Sequence, residues 1–209
     1  MPVYLNEAQA GSDANLIGFP HLVICMGVVL QTNAYMYGYH FDHQDRTAAN
    51  CVAFANFIAK RRGRVANGVR LYGCGNLALR YEGGGRQAWR AEMRLIAGAL
   101  GYHGRVSGFD TGIINPQDGT YVEYIPDYPQ QRCRIFYKRN EKMDIDTSAV
   151  MGSPVRNMAP FRLNPNTYQM VPKIGILNYT GGAVIRATDS NRGALHEVNY
   201  FLRLANFEV

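Results

Sequence analysis

The stretch LVICMGVVLQTNAYMYGYHF, residues 22–41, decides how the rest of the chain is read. Leu22 to Leu30 and Tyr35 to Phe41 are apolar, β-branched or aromatic runs, and the polar break Gln31-Thr32-Asn33 lies between them. Two such runs around a short break predict a β-hairpin. With Thr32-Asn33 as a two-residue loop, cross-strand partners have numbers that sum to 65, which sets Cys25 opposite His40 and Gly27 opposite Gly38. Opposed side chains on one face lie about 5 Å apart between Cβ atoms, close enough for a thiol and an imidazole to exchange a proton. The two glycines beside them would leave room for a substrate. A slip of one residue sends His40 to the other face, so the pairing hangs on the register.

Outward from the hairpin, the polar residues 42–47 supply N-cap candidates for a helix from about Thr47 to Arg62, with Cys51, Phe54, Ala55 and Ile58 at the helical repeat. Val69 to Cys74 and Leu77 to Tyr81 read as strands. The glycine run 83–85 leads into a second helix, about Gln87 to Leu100, with Trp89, Met93, Ile96 and Leu100 inward and Gly101 as its stop. That glycine run lacks the spacing and the Lys-Ser/Thr of a phosphate-binding loop and reads as a turn. Arg105 to Phe109, Tyr121 to Ile125 and Arg132 to Tyr137 read as strands, with residues 115–119 as a hairpin turn. From about 140 to 171 the chain is irregular, rich in Met, Pro and Asn, and reads as a long surface connection. Lys173 to Tyr179 and Ala183 to Thr188 read as a second hairpin and Gly193 to Asn206 as a closing helix. The expected class is α+β: a mixed, largely antiparallel, sandwich-like sheet core flanked by helices. Residues 1–139 form the core unit and residues 140–209 an extension packed on the same domain.

Composition narrows the class without naming an activity. The chain has 209 residues, 47% of them hydrophobic, enough for a sizeable core. No apolar run reaches the 18 or so residues of a membrane span, and residues 1–15 lack the pattern of a signal peptide. The expectation is a soluble protein, cytoplasmic or delivered into a target cell by a route without a cleaved signal. The net charge of +6 comes mostly from Arg, which favours bidentate contacts to carboxylates or phosphates. Cys25, Cys51, Cys74 and Cys133 form no CxxC pair and have no metal-ligand spacing with the five histidines, so they read as thiols and no metal or cofactor is expected. Cys51 and Cys133 read as small buried hydrophobes. Cys74, between glycines in Leu71-Tyr72-Gly73-Cys74-Gly75-Asn76, reads as the filler of a tight turn, or as half of a rival pair should the fold bring His103 to it.

The order of elements carries a resemblance. A strand with Cys25, a strand with His40, a helix, the strand Val69 to Cys74, a glycine-rich turn, a helix and the strand Arg105 to Phe109 resemble the chemoreceptor glutamine deamidase CheD and the catalytic domains of cytotoxic necrotizing factor toxins. In that group a Cys at the start of one strand and a His about fifteen residues later form the catalytic pair. Here the interval from Cys25 to His40 is 15. The glycine-rich 71–76 segment is similar too, and the likeness covers roughly residues 15–137. The chain departs from the group at Ile24, where a small residue is usual, and at Phe19, where CheD-type sites carry a Thr. Toxin members orient the His with a backbone carbonyl, so no third catalytic group is carried over.

The resemblance implies deamidation or transglutamination of a protein glutamine, in the setting of a bacterial effector or toxin or of a partner within the same cell. Cys25 would attack the carboxamide, His40 would act as base and then acid, and the oxyanion would rest on backbone N–H groups near Cys25, helped by Asn76. Asp42 shares the face of His40 by strand parity and is the candidate to orient the imidazole. His21 and His43 flank the region as substitute bases. Other readings stand beside this one. His40 alone reads as a hydrogen-bonded histidine in an aromatic strand, and Cys25 alone as a core thiol. A second class is a non-catalytic binding module in which Arg61, Arg62, Arg64, Arg70 and nearby tyrosines meet an acidic protein or, less favoured, single-stranded nucleic acid. A third is a pseudoenzyme of the same fold.

Overall fold

A computed structural model of the chain describes residues 3–139, apart from positions 6, 62, 84, 115 and 118, together with the backbone of five short strands between 161 and 204. Two strands precede the hairpin, β1 (Val3–Leu5) and β2 (Gln9–Asp13). The run at 22–30 is not one strand. β3 (Ile17–Leu22) ends at Leu22, Val23-Ile24-Cys25 bend, and β4 (Met26–Thr32) begins in a different sheet. β5 (Met36–Phe41) completes the hairpin, followed by α1 (Thr47–Lys60), β6 (Gly68–Gly75), α2 (Leu77–Arg80), α3 (Gly85–Leu100), β7 (Arg105–Asp110), β8 (Thr120–Asp127) and β9 (Arg132–Arg139). Then come β10 (Phe161–Asn164), β11 (Gln169–Pro172), β12 (Ile176–Asn178), β13 (His196–Glu197) and β14 (Leu202–Leu204).

The strands form two sheets, ordered β12-β1-β3-β8-β9-β13 and β11-β10-β2-β5-β4-β6-β7-β14. Pairing is antiparallel except for β1 with β3 and β6 with β7. The chain is thus α+β, with two mostly antiparallel sheets and few helices. One core cluster joins Leu5, Ile17, Phe19, Val122 and Tyr124 of the first sheet to Val29, Met36, Tyr72 and Cys74 of the second. The other joins Met26, Val28, Leu30, Tyr39 and Phe41 to α1 and α3 through Phe54, Phe57, Trp89, Met93 and Ile96. The second sheet is therefore covered on both faces, which is why every residue of β4 and β5 is buried and their sequence shows no polar alternation.

The hairpin register differs from expectation. The partners are Met26↔Phe41, Gly27↔His40, Val28↔Tyr39, Val29↔Gly38 and Gln31↔Met36, numbers that sum to 67. Thr32 causes the shift. Its hydroxyl donates to the Tyr35 carbonyl (2.9 Å) and accepts from the Tyr35 N–H (3.0 Å), while its own N–H donates to the same carbonyl (2.8 Å), so Thr32 closes the loop instead of sitting at its tip. Parity is conserved, so His40 keeps the face it was expected to have.

Other expectations are corrected in the same way. Leu77–Arg80 is one helical turn, not a strand, because Asn76 Oδ1 accepts the Leu79 N–H (3.1 Å) and Asp110 Oδ1 accepts the Leu77 N–H (3.0 Å). Residues 115–119 join strands of different sheets and make no hairpin. Ile176–Asn178 pairs with β1, while residues 183–188 lie outside the described residues. Much of the stretch 140–171 also lies outside them, but Phe161–Asn164 and Gln169–Pro172 pair with each other, and the former with β2. Within the expected closing helix, His196–Glu197 and Leu202–Leu204 are strands on the edges of β9 and β7. Open sheet edges offer unpaired N–H and C=O groups, and pairing with them outweighs a weak helical period.

Candidate active site at the end of the central hairpin

Cys25 sits in the bend where the chain passes from the first sheet to the second, and His40 lies two register positions inward, opposite Gly27. Both are buried, with 7% and 2% of their surface exposed. His40 faces the layer between the sheets, where its ring meets Phe19 edge-on at 5.7 Å. Its Nδ1 is 2.9 Å from the Leu5 carbonyl, and its own carbonyl accepts the Ala8 N–H at 2.9 Å. The turn between β1 and β2 thus straps the histidine from both sides. That turn holds Ala8 at φ 59°, a left-handed conformation costing roughly 1 kcal/mol in a residue with a Cβ. With Nδ1–H donating to Leu5, the neutral ring carries its free lone pair on Nε2, and Nε2 is buried with no hydrogen-bond partner.

No hydrogen bond joins the Cys25 thiol to Nε2 in this arrangement. Burial pushes the thiol pKa up to about 12, aided by Glu7 and Asp42 and opposed by Arg80. Burial likewise pushes His40 down to about 4, reinforced by Arg80 and His21 and opposed by the bond to Leu5 and by Asp42. At neutral pH both groups are therefore uncharged. Arg80 and Asp42 act on both, which marks the two side chains as sharing one electrostatic environment.

The glycines are not empty space. A Cβ on Gly27 would stand 2.8 Å from the Phe19 ring, and one on Gly38 would stand 2.8 Å from both Ile17 and Leu5. Side chains of the facing sheet fill these places, so the expected room for a substrate is absent there. Gly75 has a different reason to be glycine: a Cβ would meet the Cys25 carbonyl at 2.9 Å. The glycine-rich end of β6 is shaped to lie against the bend that carries Cys25. A groove of about 730 Å³ opens beside the bend, lined by Ile24, His43, Gln44, Asp45, Leu79, Arg80, Tyr81 and Glu82.

The remaining expected residues fall as follows. Asp42 lies beyond the end of β5, where strand parity no longer applies. Its carboxylate accepts from Asn50 Nδ2 (2.6 Å) and Arg46 (3.4 Å), and the Leu5 carbonyl, not Asp42, orients the imidazole. Asn76 caps α2, and its Nδ2 donates to the Pro116 carbonyl (3.1 Å). His43 is exposed on the groove, and His21 lies on β3. Cys74 pairs with Phe109 across the parallel strands, whereas His103 is exposed beyond the opposite end of β7, so the rival pair does not meet. Arg61 and Arg64 are exposed, Arg70 donates to Ser107 Oγ (3.3 Å), and Arg62 lies outside the described residues.

Two residues were missed by sequence reasoning. Arg80, on the inner side of α2, donates through Nη1 to the carbonyls of Ile24 (2.8 Å) and Asp42 (2.5 Å). Its Nε and Nη2 donate to Glu92 at 2.8 and 2.6 Å. Glu92 also accepts from Tyr81 (2.5 Å) and from Thr47. Burial works against the Glu92 charge, but the Arg80 hydrogen bonds and charge hold its carboxyl below the ordinary carboxylate range. A signal for Glu92 existed: it lies three residues from Trp89 and four from Ile96, an ionisable residue within the apolar stripe of α3.

Among the described residues no group of three or more potential metal ligands is assembled, and no helix is long and apolar enough to cross a membrane. Compared with known proteins, the chain matches no family model and no curated protein.

Proposed function

We propose that the protein is a cysteine-dependent amidohydrolase acting on protein glutamine side chains, in the manner of the CheD and necrotizing-factor group that the order of its elements resembles. One observation carries the reading: His40 is fixed through Nδ1 by a backbone carbonyl, and its Nε2 lone pair is left buried and unpartnered on the face of the sheet that Cys25 continues. Most buried side-chain nitrogens are hydrogen-bonded, and an unpartnered imidazole nitrogen near a buried thiol supports a role in proton transfer.

The chemistry follows from the neutral resting state. A thiol near 12 and an imidazole near 4 hold no standing ion pair at pH 7, so the proton leaves Cys25 as the sulfur attacks. Sγ bonds to the carboxamide carbon and its proton passes to Nε2. The C–N bond then breaks as the imidazolium protonates the leaving nitrogen, releasing ammonia and a thioester. Water attacks the thioester, Nε2 takes a proton from it, and that proton returns to Cys25 as the glutamate product departs. The glutamine enters over Ile24 from the groove, since the inner side is packed by Phe19. The setting is that of a bacterial effector acting on a partner protein, and no cofactor takes part.

The test is the alkylation rate of each thiol by iodoacetamide, itself a small carboxamide, followed by mass spectrometry at several pH values. Cys25 is expected to react faster at pH 7 than Cys51, Cys74 and Cys133, and to lose that advantage in His40→Ala. A Cys25 that stays inert until the protein unfolds, or reacts equally without His40, sinks the proposal.

A further inference from the structure

The guanidinium of Arg80, in a residue 5% exposed, divides its donors between two tasks. Nε and Nη2 form a two-point contact with Glu92, which fixes the plane of the group. Nη1 then reaches the carbonyls of Ile24 and Asp42. Ile24 is the residue before Cys25, and Asp42 is the second residue after His40. Hairpin pairing does not need this bridge, because β4 and β5 are already in register up to Met26↔Phe41. What lies beyond that last pair is Cys25 with Ile24 on one side and Asp42 on the other, and these are the parts Arg80 joins.

We propose that Arg80, seated by Glu92, is the positioning residue of the site: it ties the thiol-bearing bend to the end of the histidine strand and fixes the geometry in which Cys25 meets His40. The inference rests on the catalytic reading above. The bend needs such a tie because it makes no ladder of its own, crossing between sheets at Val23-Ile24-Cys25. Lysine could not replace it, since one ammonium cannot make a planar two-point contact with Glu92 and reach both carbonyls. Arg80 and Ile24 both line the groove, so the tie lies next to the route proposed for the substrate.

The experiment compares wild type with Arg80→Lys and with the double variant Arg80→Met/Glu92→Met, which removes the pair without stranding a buried charge. Two quantities are read: amide hydrogen exchange along the chain, and iodoacetamide alkylation of all four thiols with and without His40→Ala. In both variants exchange at residues 23–27 and 42–43 is expected to rise about tenfold or more, as the loss of charge-assisted hydrogen bonds implies, while Cys51, Cys74 and Cys133 stay protected. The effect of His40→Ala on Cys25 alkylation, expected to be about tenfold in wild type, shrinks toward unity in these backgrounds. Wild-type exchange and undiminished His40 dependence in a folded variant overturn the proposal. So does joint exposure of all four thiols in both variants, which would make the ion pair a support of the whole fold. If His40→Ala has no effect even in wild type, the catalytic reading falls, and exchange at 23–27 still decides whether Arg80 holds the bend.

Discussion

Strand β4 carries a buried thiol cluster near each end, in the same layer between the sheets, and the two are built on opposite principles. At the Gln31 end, the Tyr72 hydroxyl accepts the Cys133 N–H (2.5 Å) and donates to Gln31 Oε1 (3.3 Å). The Cys133 thiol donates to the same oxygen (3.4 Å), and Gln31 Nε2 donates to the Arg132 carbonyl (3.2 Å). This cluster is closed. At the other end His40 has one nitrogen bound and the other bare, and the nearby thiol makes no bond to it. An unmet buried acceptor costs about 1 to 3 kcal/mol, and under the proposed function that energy is spent where a reacting group would meet it. The difference teaches that two buried thiols in one layer can have opposite surroundings, one in a satisfied hydrogen-bond network and one beside an unpartnered imidazole nitrogen.

The strongest way to break the comparison is at the support beneath the open end. Arg80→Met should cost about 3 to 5 kcal/mol, because Glu92 remains buried without its partner, whereas Arg80→Met/Glu92→Met should recover most of that loss in urea unfolding. Equal losses for the single and double variants would show that packing, not charge, sets the penalty. In the closed cluster, Tyr72→Phe leaves the Cys133 N–H and Gln31 Oε1 short of a partner and should cost about 2 to 3 kcal/mol. Cys25 alkylation should not change with it, and any change would show that the two ends of β4 are coupled.

His40 gives the third test through pH. Its folded pKa of about 4 lies below the ordinary 6.5, so between these values the unfolded chain binds the extra proton. Its stability contribution is complete above about pH 6.5 and is lost as pH falls toward 4. Unfolding free energies at pH 5 and pH 7 should therefore differ by about 2 kcal/mol from this group alone, and His40→Ala should flatten that slope. A slope that survives the substitution assigns the acid sensitivity to another group, such as Glu92, whose contribution is lost at lower pH as its depressed carboxyl is protonated. The smallest effect is expected for Cys25→Ala, below about 1 kcal/mol, since the thiol anchors no hydrogen bond to His40 and the site can close over a missing sulfur. A larger loss would make Cys25 a packing residue, like its counterpart in the closed cluster.

Much of this arrangement was legible in the chain. The aromatic and β-branched runs at 22–41 announced the hairpin, the apolar repeat announced α1 and α3, and His40 kept its expected face because the observed register differs from the expected one by two residues and not by one. Periodicity and parity are local properties, set by backbone geometry alone, and a sequence displays them directly. The loop closure by Thr32, the helical turn at 77–80 and the strands within 196–204 were not legible, because each depends on a hydrogen-bond partner far away or on a choice between two local structures of similar energy. Glycine was misread for the same reason. Gly27 and Gly38 looked like space in the sequence, and only the packing of Phe19, Ile17 and Leu5 from the other sheet showed that the space was taken.

The sequence by itself determined the class of the fold, the buried hairpin and the presence of a cysteine and a histidine within it on one face. Tertiary structure alone decided that a carbonyl from β1 fixes the imidazole, that Arg80 from α2 bridges the carbonyls of Ile24 and Asp42, and that a groove opens beside Ile24. Those contacts join residues 35 to 56 positions apart, and no local propensity encodes a pairing that only chain closure brings together.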